Sequence, residues 1–297
     1  MNTRMPSKGG AVANFRKLYA SCMAAAGRLR EQPAGNAFEI RLEGAFETVP
    51  RELFLPPGPW HIATGSGGYV ETPDADPRYL YQDVLVALDT ERGINNGQPS
   101  AHARFMSTMA PQPGETVVHI GAGAGYYSAI LSMLVSPGGK VAAFEIDERL
   151  AVAAKRNLAA FDGVSVTVGD ATRLAMPGAD VFYVNAALRS PPAHWLRALH
   201  PEGRMFLPWS AARDCTPAIA IRRASAGGYH VKPFMATRFI ACTDAAGPAA
   251  GDTLPDCKAA WSTRALHLTA ERPPDETATA IYGEVWFSSE PPGRMPR

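Results

Sequence analysis

The sequence predicts an α/β fold whose centre is a Rossmann-like parallel sheet. Strand and helix patterns alternate between residues 115 and 209, as they do in repeated βαβ units. A glycine-rich turn follows the first of these strands and leads into the next helix. The sequence before this stretch shows helix and loop patterns, and the sequence after it shows mainly strand patterns. We therefore predict an N-terminal helical and loop cap over residues 1–110, a Rossmann-like core over 111–215 and a β-rich C-terminal extension over 216–297.

The cap is predicted to be mainly helical. In its first helix Phe15, Leu18 and Cys22 recur at the spacing of one helix face, so we expect this face to be buried. Residues 1–12 are predicted to be a loose terminus, and residues 60–78, rich in glycine, proline and aspartate, a long loop. The predicted helices of the cap cover residues 13–31, 38–48 and 100–110.

The core and the extension differ in the order of their elements. The predicted strands of the core cover residues 115–120, 140–146, 164–170, 179–186 and 203–209. The predicted helices of the core cover residues 125–135, 147–161 and 192–200. In the extension, strands are predicted over residues 218–223, 229–234, 237–243 and 280–289, with one helix over 256–266. The sequence leaves open whether these later strands extend the sheet, form a separate lobe or dimerise.

Composition excludes several classes of partner. The chain of 297 residues has a net charge of +1, without the basic excess typical of nucleic-acid-binding proteins. It contains no run of 18 apolar residues that would indicate a transmembrane span. Near the N-terminus Arg16, Lys17 and Arg28 interrupt the apolar positions, unlike in a signal peptide. We therefore expect no nucleic-acid or membrane partner and a cytoplasmic location, and leave the oligomeric state open.

The cysteines are predicted to be free thiols. They lie far apart in the sequence, at Cys22, Cys215, Cys242 and Cys257. No Cys-x-x-Cys pair suggests a zinc site, and the histidines have no metal-ligand spacing either. Cysteines of cytosolic proteins are usually reduced, so we expect neither a disulfide nor a bound metal.

The glycine-rich turn predicts a ligand with an adenosine group. Glycines at 121, 123 and 125 let the backbone turn sharply and let a ligand approach it closely. The following helix begins with free N–H groups that attract polar ligands. A dinucleotide site would need G-x-G-x-x-G, but the third glycine position is Tyr126. The spacing Gly121-x-Gly123-x-Gly125 is instead typical of S-adenosylmethionine enzymes, and Ala122 is included among the predicted cofactor-binding residues.

Polar residues at the ends of later strands support the same ligand. Glu145, followed by Ile146, ends the next predicted strand, where an acid can accept hydrogen bonds from both ribose hydroxyls. Asp170, followed by Ala171, ends the third strand and can reach an adenine amino group, although it can equally cap the turn after it. Asn185 ends the fourth strand, either beside the cofactor or as a turn residue.

With these motifs in place, the chain resembles the protein-L-isoaspartate O-methyltransferase family over residues 49–210. This resemblance implies a class I S-adenosylmethionine methyltransferase fold, with S-adenosyl-L-methionine as cofactor. The matching segments are VPRELFLPP, Tyr81-Gln82-Asp83, Gln98-Pro99 with Ala103, VVHIGAGAGYYSAILS, VAAFEIDERLAVAAKRNL, VSVTVGD and PAHWLRALHPEGRMFLP.

The chain departs from the family pattern where the acceptor is expected. The family's Thr-Ile-Ser falls on Asn95-Asn96-Gly97, so the signature serine is replaced by Gly97. The acid usual in the strand before the glycine turn is His119. If only the serine is missing, Gly97→Ser should raise isoaspartyl activity. Unchanged activity would indicate a rebuilt acceptor site.

The resemblance and the chemistry of methyl transfer assign roles to the acceptor segment. The sulfonium methyl is already electrophilic, so the protein mainly aligns the acceptor with it and excludes water. We predict that Asn95, Asn96 and His102 are catalytic, and that Gly97 and Gln98 contact the cofactor. His102 can act as a base for a phenol or amine acceptor, or can hold the cofactor carboxylate or a backbone carbonyl.

The leading hypothesis is an S-adenosylmethionine-dependent O-methyltransferase that methylates a carboxyl group of a peptide or protein, as isoaspartyl methyltransferases do. One alternative is a methyltransferase for a dedicated peptide or a small-molecule natural product. Another is a cofactor-binding module without catalysis. An NAD-dependent oxidoreductase is disfavoured because the third glycine of the dinucleotide motif is missing.

Overall fold

A computed structural model describes residues 8–65, 67–225, 227–242 and 251–293 of the chain. Its residues group into a helical unit and a sheet unit. The helical unit comprises Met1–Gly114, Ala122–Gly138 and Asp147–Val164, and the sheet unit comprises Glu115–Gly121, Gly139–Ile146 and Ser165–Arg297. The chain crosses between the units more than once, because the helices Tyr126–Val135 and Glu148–Asn157 belong to the first unit and the strands that precede them to the second.

The helical unit consists of α-helices, short 3-10 helices and short antiparallel strand pairs. Its α-helices are α1 (Lys8–Gly27), α2 (Ala37–Thr48), α3 (Pro99–Met109), α4 (Tyr126–Val135) and α5 (Glu148–Asn157). Its antiparallel strand pairs are β1 (His61–Ala63) with β2 (Tyr69–Glu71) and β3 (Ala87–Asp89) with β4 (Ile94–Asn95). Short 3-10 helices cover Arg51–Phe54 and Pro77–Leu80. The predicted loop over residues 60–78 therefore contains the hairpin of β1 and β2.

The sheet unit is built on one large sheet. Its strands are β5 (Thr116–Ile120), β6 (Lys140–Glu145), β7 (Val164–Val168), β8 (Ala179–Val184), β9 (Leu199–Pro208), β10 (Pro217–Arg223), β11 (Tyr229–Ala236), β12 (Ala265–Leu268), β13 (Ala278–Tyr282) and β14 (Val285–Ser288). Its helices are α6 (Ala193–Ala198) and α7 (Cys257–Ser262). Within the described residues, the strand order is β13-β14-β12-β11-β10-β9-β8-β5-β6-β7.

The order of the strands answers the question that the sequence left open about the extension. β5 is parallel to β6 and β8, and β8 is parallel to β9, as the βαβ pattern predicts. From β9 onwards the neighbours β10, β11, β12, β14 and β13 pair antiparallel. The strands after residue 216 therefore extend the core sheet.

Some predicted element boundaries in the extension are wrong. Residues 237–242 form no strand, although Ala187 N–H donates to the Ile240 carbonyl at 3.0 Å and Cys242 N–H donates to the Ala187 carbonyl at 2.9 Å. The last residue of that predicted strand, at position 243, lies outside the described residues. The predicted helix over 256–266 ends at Ser262, and β12 begins at Ala265.

The first helix begins earlier than predicted and buries a different face. It starts at Lys8, within the predicted loose terminus. Phe15 and Leu18 are 45% and 64% exposed, whereas Tyr19 and Met23 are buried. The reason is the close approach of α3, because a Cβ added to Gly27 would lie 2.9 Å from the carbonyl oxygen of Ala103. Neighbouring helices therefore select the buried face of α1.

The core of the sheet unit is formed by large side chains on one side of the strands. Trp195 is fully buried, and its indole N–H donates to the carbonyl of Ala171 at 3.0 Å. Trp209 stacks on Phe287 with ring centroids 4.2 Å apart, which joins the core strands to the extension. Stacked pairs of this kind stabilise a core beyond the burial of their area.

The prediction of free thiols is wrong for two of the four cysteines. Cys215, just before β10, forms a disulfide with Cys257 at the start of α7. Their Cα atoms lie 5.5 Å apart although 42 positions separate them in the sequence. Only the folding of the extension brings these residues together, so their spacing carried no signal. Neither Cys22 nor Cys242 takes part in a disulfide in the described part of the chain.

Among the described residues, no helix is long and apolar enough to cross a membrane. The same residues contain no group of three or more histidine, cysteine, aspartate or glutamate side chains arranged to hold a metal ion.

Candidate functional site

The strand-end residues predicted from the sequence lie along one edge of the sheet. Gly121 follows β5, and its N–H donates to the Phe144 carbonyl of β6 at 2.9 Å. The N–H of Asn185, after β8, donates to the Ile120 carbonyl of β5 at 2.8 Å. The N–H of Gly169, after β7, donates to the Glu145 carbonyl at 2.9 Å. In open α/β sheets ligands bind at this carboxyl edge of the strands.

The glycines of the turn after β5 adopt backbone conformations that other residues rarely take. The φ angles of Gly121, Gly123 and Gly125 are +74°, +56° and +97°, in the left-handed region that favours glycine. A Cβ added to Gly125 would lie 2.8 Å from a methyl carbon of Leu158. A side chain at this position would therefore be excluded by both backbone conformation and packing.

The ends of β6 and β7 carry both acidic and apolar side chains. Glu145 is buried, whereas Ile146 beside it is 47% exposed. The Asp170 carboxylate accepts hydrogen bonds from the backbone N–H and hydroxyl of Thr172 at 2.9 and 2.7 Å. It therefore caps the turn after β7, which is the structural role the sequence allowed for it. Ala171 is buried, with its carbonyl bonded to the Trp195 indole.

Asn185 forms a polar pair with His119 of β5. The side-chain Nδ2 of Asn185 lies 2.8 Å from Nε2 of His119. His119 is fully buried, and burial lowers its pKa to about 3, so the ring is neutral. The other polar atom of the amide, Oδ1, is buried and has no hydrogen-bond partner among the described residues. The sequence did not predict this pairing.

The predicted acceptor segment, residues 95–98, lies in the helical unit and is fixed by hydrogen bonds. Asn95 Oδ1 accepts from the N–H of Gly97 at 3.0 Å. Asn96 Oδ1 accepts from the N–H of Val86 at 2.9 Å and from Arg51 at 3.2 Å. Both asparagines thus shape the segment itself. Asn96 Nδ2 is buried without a partner among the described residues.

His102 occupies the space beside Gly97. A Cβ added to Gly97 would lie 2.2 Å from Nε2 of His102, and Gly97 has a φ of +75°. The His102 ring is buried and stacks on Tyr127, with ring centroids 3.6 Å apart. The Tyr127 hydroxyl donates to the Gly97 carbonyl at 3.2 Å. A side chain at position 97 would therefore have to displace the His102 ring. The expected rise of isoaspartyl activity in Gly97→Ser stays a prediction.

Asp83 connects the acceptor segment to the start of α3. Its carboxylate accepts hydrogen bonds from Gln98 Nε2 at 2.9 Å and from the Ser100 N–H and hydroxyl at 2.8 and 2.6 Å. Gln98 precedes the first residue of α3, so the carboxylate lies where it complements the helix N-terminus. The Tyr-x-Asp segment noted in the sequence therefore holds the acceptor segment in place.

Arg51 is a buried organising residue that sequence reasoning did not single out. Its guanidinium donates to the carbonyls of Leu80, Gln82 and Val84 at 2.6, 3.1 and 2.5 Å, and also to Asn96 Oδ1. The side chain is fully buried. The available signal was its place in VPRELFLPP, one of the segments that carry the family resemblance.

The comparisons with known proteins decide the family. The family model described as Protein-L-isoaspartate(D-aspartate) O-methyltransferase matches residues 66–247, more than half of the chain. The chain belongs to this family. The resemblance inferred from the sequence is thereby confirmed.

Curated relatives agree with this membership. A protein-L-isoaspartate O-methyltransferase of Aeropyrum pernix is 35% identical over 174 residues, which is 57% of this chain and 59% of that protein. Protein-L-isoaspartate O-methyltransferase 2 of Archaeoglobus fulgidus is 28% identical over 200 residues, 66% of this chain and 82% of that protein. The matched region therefore spans less than two thirds of the Aeropyrum relative.

Solved structures show the fold. A protein-L-isoaspartate O-methyltransferase superposes with a TM-score of 0.62 and 24% identity, over 77% of this chain and 66% of that one. A second family structure, from Plasmodium falciparum and in complex with S-adenosyl-L-homocysteine, has a TM-score of 0.58 and 13% identity, over 76% of this chain and 97% of that one. The predicted class I S-adenosylmethionine methyltransferase fold is confirmed.

Proposed function

We propose that this chain is an S-adenosylmethionine-dependent O-methyltransferase that methylates an isoaspartyl-type carboxyl group of a peptide or protein. Family membership supports the reaction, and the observation that carries the proposal is the carboxyl edge of the sheet. There a glycine turn, a buried acid and a buried amide oxygen that has no partner among the described residues lie at the ends of neighbouring strands. The relatives give no support to a non-catalytic module or to an acceptor of another class.

The residues at the sheet edge fit the cofactor. Glu145 is suited to accept hydrogen bonds from the ribose hydroxyls, and Asp170 retains the proposed contact with the adenine amino group. The exposed side chain of Ile146 offers an apolar surface to the flat face of adenine. Backbone without side chains at Gly121 and Gly123 permits close approach. Ala122, Gly125, Ala171 and Asn185 complete this proposed set, and Gly97 and Gln98 remain proposed contacts from the acceptor segment.

The bound cofactor supplies an electrophilic sulfonium methyl group. The protein has to hold a nucleophilic oxygen in line with it and exclude water. A carboxylate acceptor is ionised at neutral pH, so it needs no general base. In this proposal Asn95 and Asn96 shape the acceptor segment, the Asn96 amide nitrogen offers a donor, and His102 packs beside Gly97.

The proposal is tested by methyl transfer from tritiated S-adenosylmethionine to an isoaspartyl peptide. The expected result is base-labile label on this peptide and none on the matched aspartyl peptide. Glu145→Gln should weaken the binding of S-adenosylhomocysteine about 10-fold or more, because hydrogen bonds to a charged group contribute about 1.5–3 kcal/mol. The exposed Glu148→Gln, in the first turn of α5, is the control.

Two outcomes would contradict the proposal in different ways. If S-adenosylhomocysteine neither binds nor raises the unfolding temperature of the wild-type protein, the cofactor assignment is wrong. If the cofactor binds but the isoaspartyl peptide is not methylated, the acceptor assignment is wrong. The altered segment around Gly97 would then account for a different acceptor specificity.

A further inference from the structure

The amide of Asn185 uses only one of its polar atoms within the described protein. Nδ2 lies 2.8 Å from Nε2 of His119, whereas Oδ1 is buried and has no hydrogen-bond partner among the described residues. A buried carbonyl oxygen normally has a donor, because burial without one costs free energy. Such an oxygen at a ligand-binding edge indicates a donor on the ligand.

His119 determines which way this amide faces. The amide nitrogen can only donate, so the ring nitrogen Nε2 must accept and carries no proton. The ring is fully buried and neutral, which suits it to this role. Its edge also packs against Tyr183, with ring centroids 5.5 Å apart. With Nδ2 held by His119, Oδ1 is kept in the opposite orientation.

The position of Asn185 identifies the part of the ligand that it faces. A Cβ added to Gly121 would lie 3.2 Å from the backbone oxygen of Asn185, so the two residues are immediate neighbours. S-adenosylmethionine has three kinds of strong donor: ribose hydroxyls, the adenine amino group and an ammonium group. The first two are matched to Glu145 and Asp170 in the proposed function. The ammonium group remains, and its charge strengthens a hydrogen bond to an amide oxygen.

We propose that Asn185 Oδ1 accepts a hydrogen bond from the ammonium group of S-adenosylmethionine, and that His119 is the positioning residue that holds the amide in this orientation. The inference rests on the proposed function, because it needs the cofactor to bind at the sheet edge. It explains why this chain has His119 in the strand that precedes the glycine turn. A neutral pair here supplies an oriented dipole without a buried charge.

The test compares two ligands on several variants by titration calorimetry. The ligands are S-adenosylhomocysteine and the analogue in which hydrogen replaces its amino group. Wild-type protein should bind S-adenosylhomocysteine at least about 10-fold more tightly than the analogue. Asn185→Ala should bind the two ligands within about twofold of each other, because the oxygen that distinguishes them is gone. Asn185→Asp has nearly the same shape, keeps an oxygen acceptor and should keep the preference.

His119 is tested by the same ratio of affinities. His119→Leu removes the acceptor for Nδ2 and should reduce the preference for the amino group to about threefold or less. His119→Gln places an oxygen acceptor near the position of Nε2 and should restore the preference. Asn14→Ala and His230→Leu, at exposed positions, are matched controls and should leave the ratio unchanged. Thermal unfolding checks that each variant is folded.

The outcomes separate this inference from the proposed function. If Asn185→Ala discriminates between the ligands as strongly as the wild type, the ammonium contact is wrong although cofactor binding stands. If His119→Gln behaves like His119→Leu, His119 does not position the amide. If wild-type protein binds neither ligand, the proposed function itself fails, and the inference fails with it.

Discussion

At the scale of single residues, Gly97 stands where the family has its signature serine, and a histidine ring fills the space that a side chain there would need. Gly97 has a positive φ, and His102 lies where its side chain would be. His102 in turn stacks on Tyr127, whose hydroxyl is bonded to the Gly97 carbonyl. The three residues are therefore in mutual contact, and a side chain at position 97 requires the His102 ring to move.

This coupling predicts how stability responds to substitution. Gly97→Ser should lower the free energy of unfolding by about 2 kcal/mol or more, because of its left-handed backbone and its contact with His102. His102→Ala should also be destabilising, since it leaves a cavity beside Tyr127. In the double variant the loss should be smaller than the sum of the single losses by about 1 kcal/mol or more.

Urea unfolding of the wild type, both single variants and the double variant measures this coupling. The methyl-transfer assay on the same proteins shows whether Gly97→Ser, alone or together with His102→Ala, changes isoaspartyl activity. Additive losses of stability would mean that the His102 ring does not occupy the space at position 97.

A second residue-scale prediction concerns pH and His119. Burial lowers its pKa to about 3 in the folded protein, whereas an unfolded histidine titrates near 6.5. Between these values the unfolded chain binds the extra proton, so the stabilising effect is complete above pH 6.5 and declines as pH falls below it. From pH 7 to 5.5, wild-type protein should lose about 1 kcal/mol more unfolding free energy than His119→Gln.

The measurement is urea unfolding of both proteins at the two pH values. His267, on β12, has its pKa lowered to about 4 by burial and adds a loss of the same sign to both proteins, so it cancels in the difference. Equal losses in the two proteins would show that His119 is not held neutral by the fold.

At the scale of elements, the acceptor segment is held between α3 and the loop before β3. Asp83 bonds to Gln98 and Ser100 at the start of α3. Arg51 bonds to the carbonyls of Leu80, Gln82 and Val84 and to Asn96. The loop and the segment are therefore fixed to each other by side chains from outside the segment.

Removing the Asp83 contacts should loosen the acceptor segment. We expect Asp83→Ala to raise the KM for the peptide about 5-fold or more, from lost hydrogen bonds of about 1 kcal/mol or more in total. The affinity for S-adenosylhomocysteine should fall by a smaller factor than this, because Gly97 and Gln98 are only two of the proposed cofactor contacts. Steady-state kinetics and calorimetry provide the two values, with the exposed Asp162→Ala as control. Weaker binding of S-adenosylhomocysteine together with an unchanged KM for the peptide would contradict this role.

At the scale of the whole molecule, the extension is part of the sheet and is tied to it covalently. β10–β14 continue the strand order from β9, and the Cys215–Cys257 disulfide connects the start of β10 to α7. A crosslink across 42 positions restricts the unfolded chain, so it should stabilise the folded state by about 2–4 kcal/mol.

The disulfide prediction is tested by unfolding in urea with and without reductant. Reduction, or the double change Cys215→Ala with Cys257→Ala, should lower the free energy of unfolding by this amount. The exposed Cys22→Ser is the control and should have little effect. Equal stability of oxidised and reduced protein would mean that the crosslink does not form.

The sequence alone determined the parts of this protein that depend on local pattern. The βαβ alternation predicted the parallel strands β5, β6, β8 and β9, because hydrophobic period and turn residues act within a few positions. The spacing Gly121-x-Gly123-x-Gly125 predicted a sharp turn after β5. Glu145 and Asn185 were predicted at strand ends, and both lie there.

Contacts between distant residues were decided only by the tertiary structure. The buried face of α1 depends on α3, which passes close to Gly27, so the apolar stripe of Phe15 and Leu18 was misleading. The pairing of His119 with Asn185 joins different strands, and the disulfide joins the ends of a long connection. Local periodicity carries no information about such partners, because the free energy of these contacts is gained only when folding brings separate elements together.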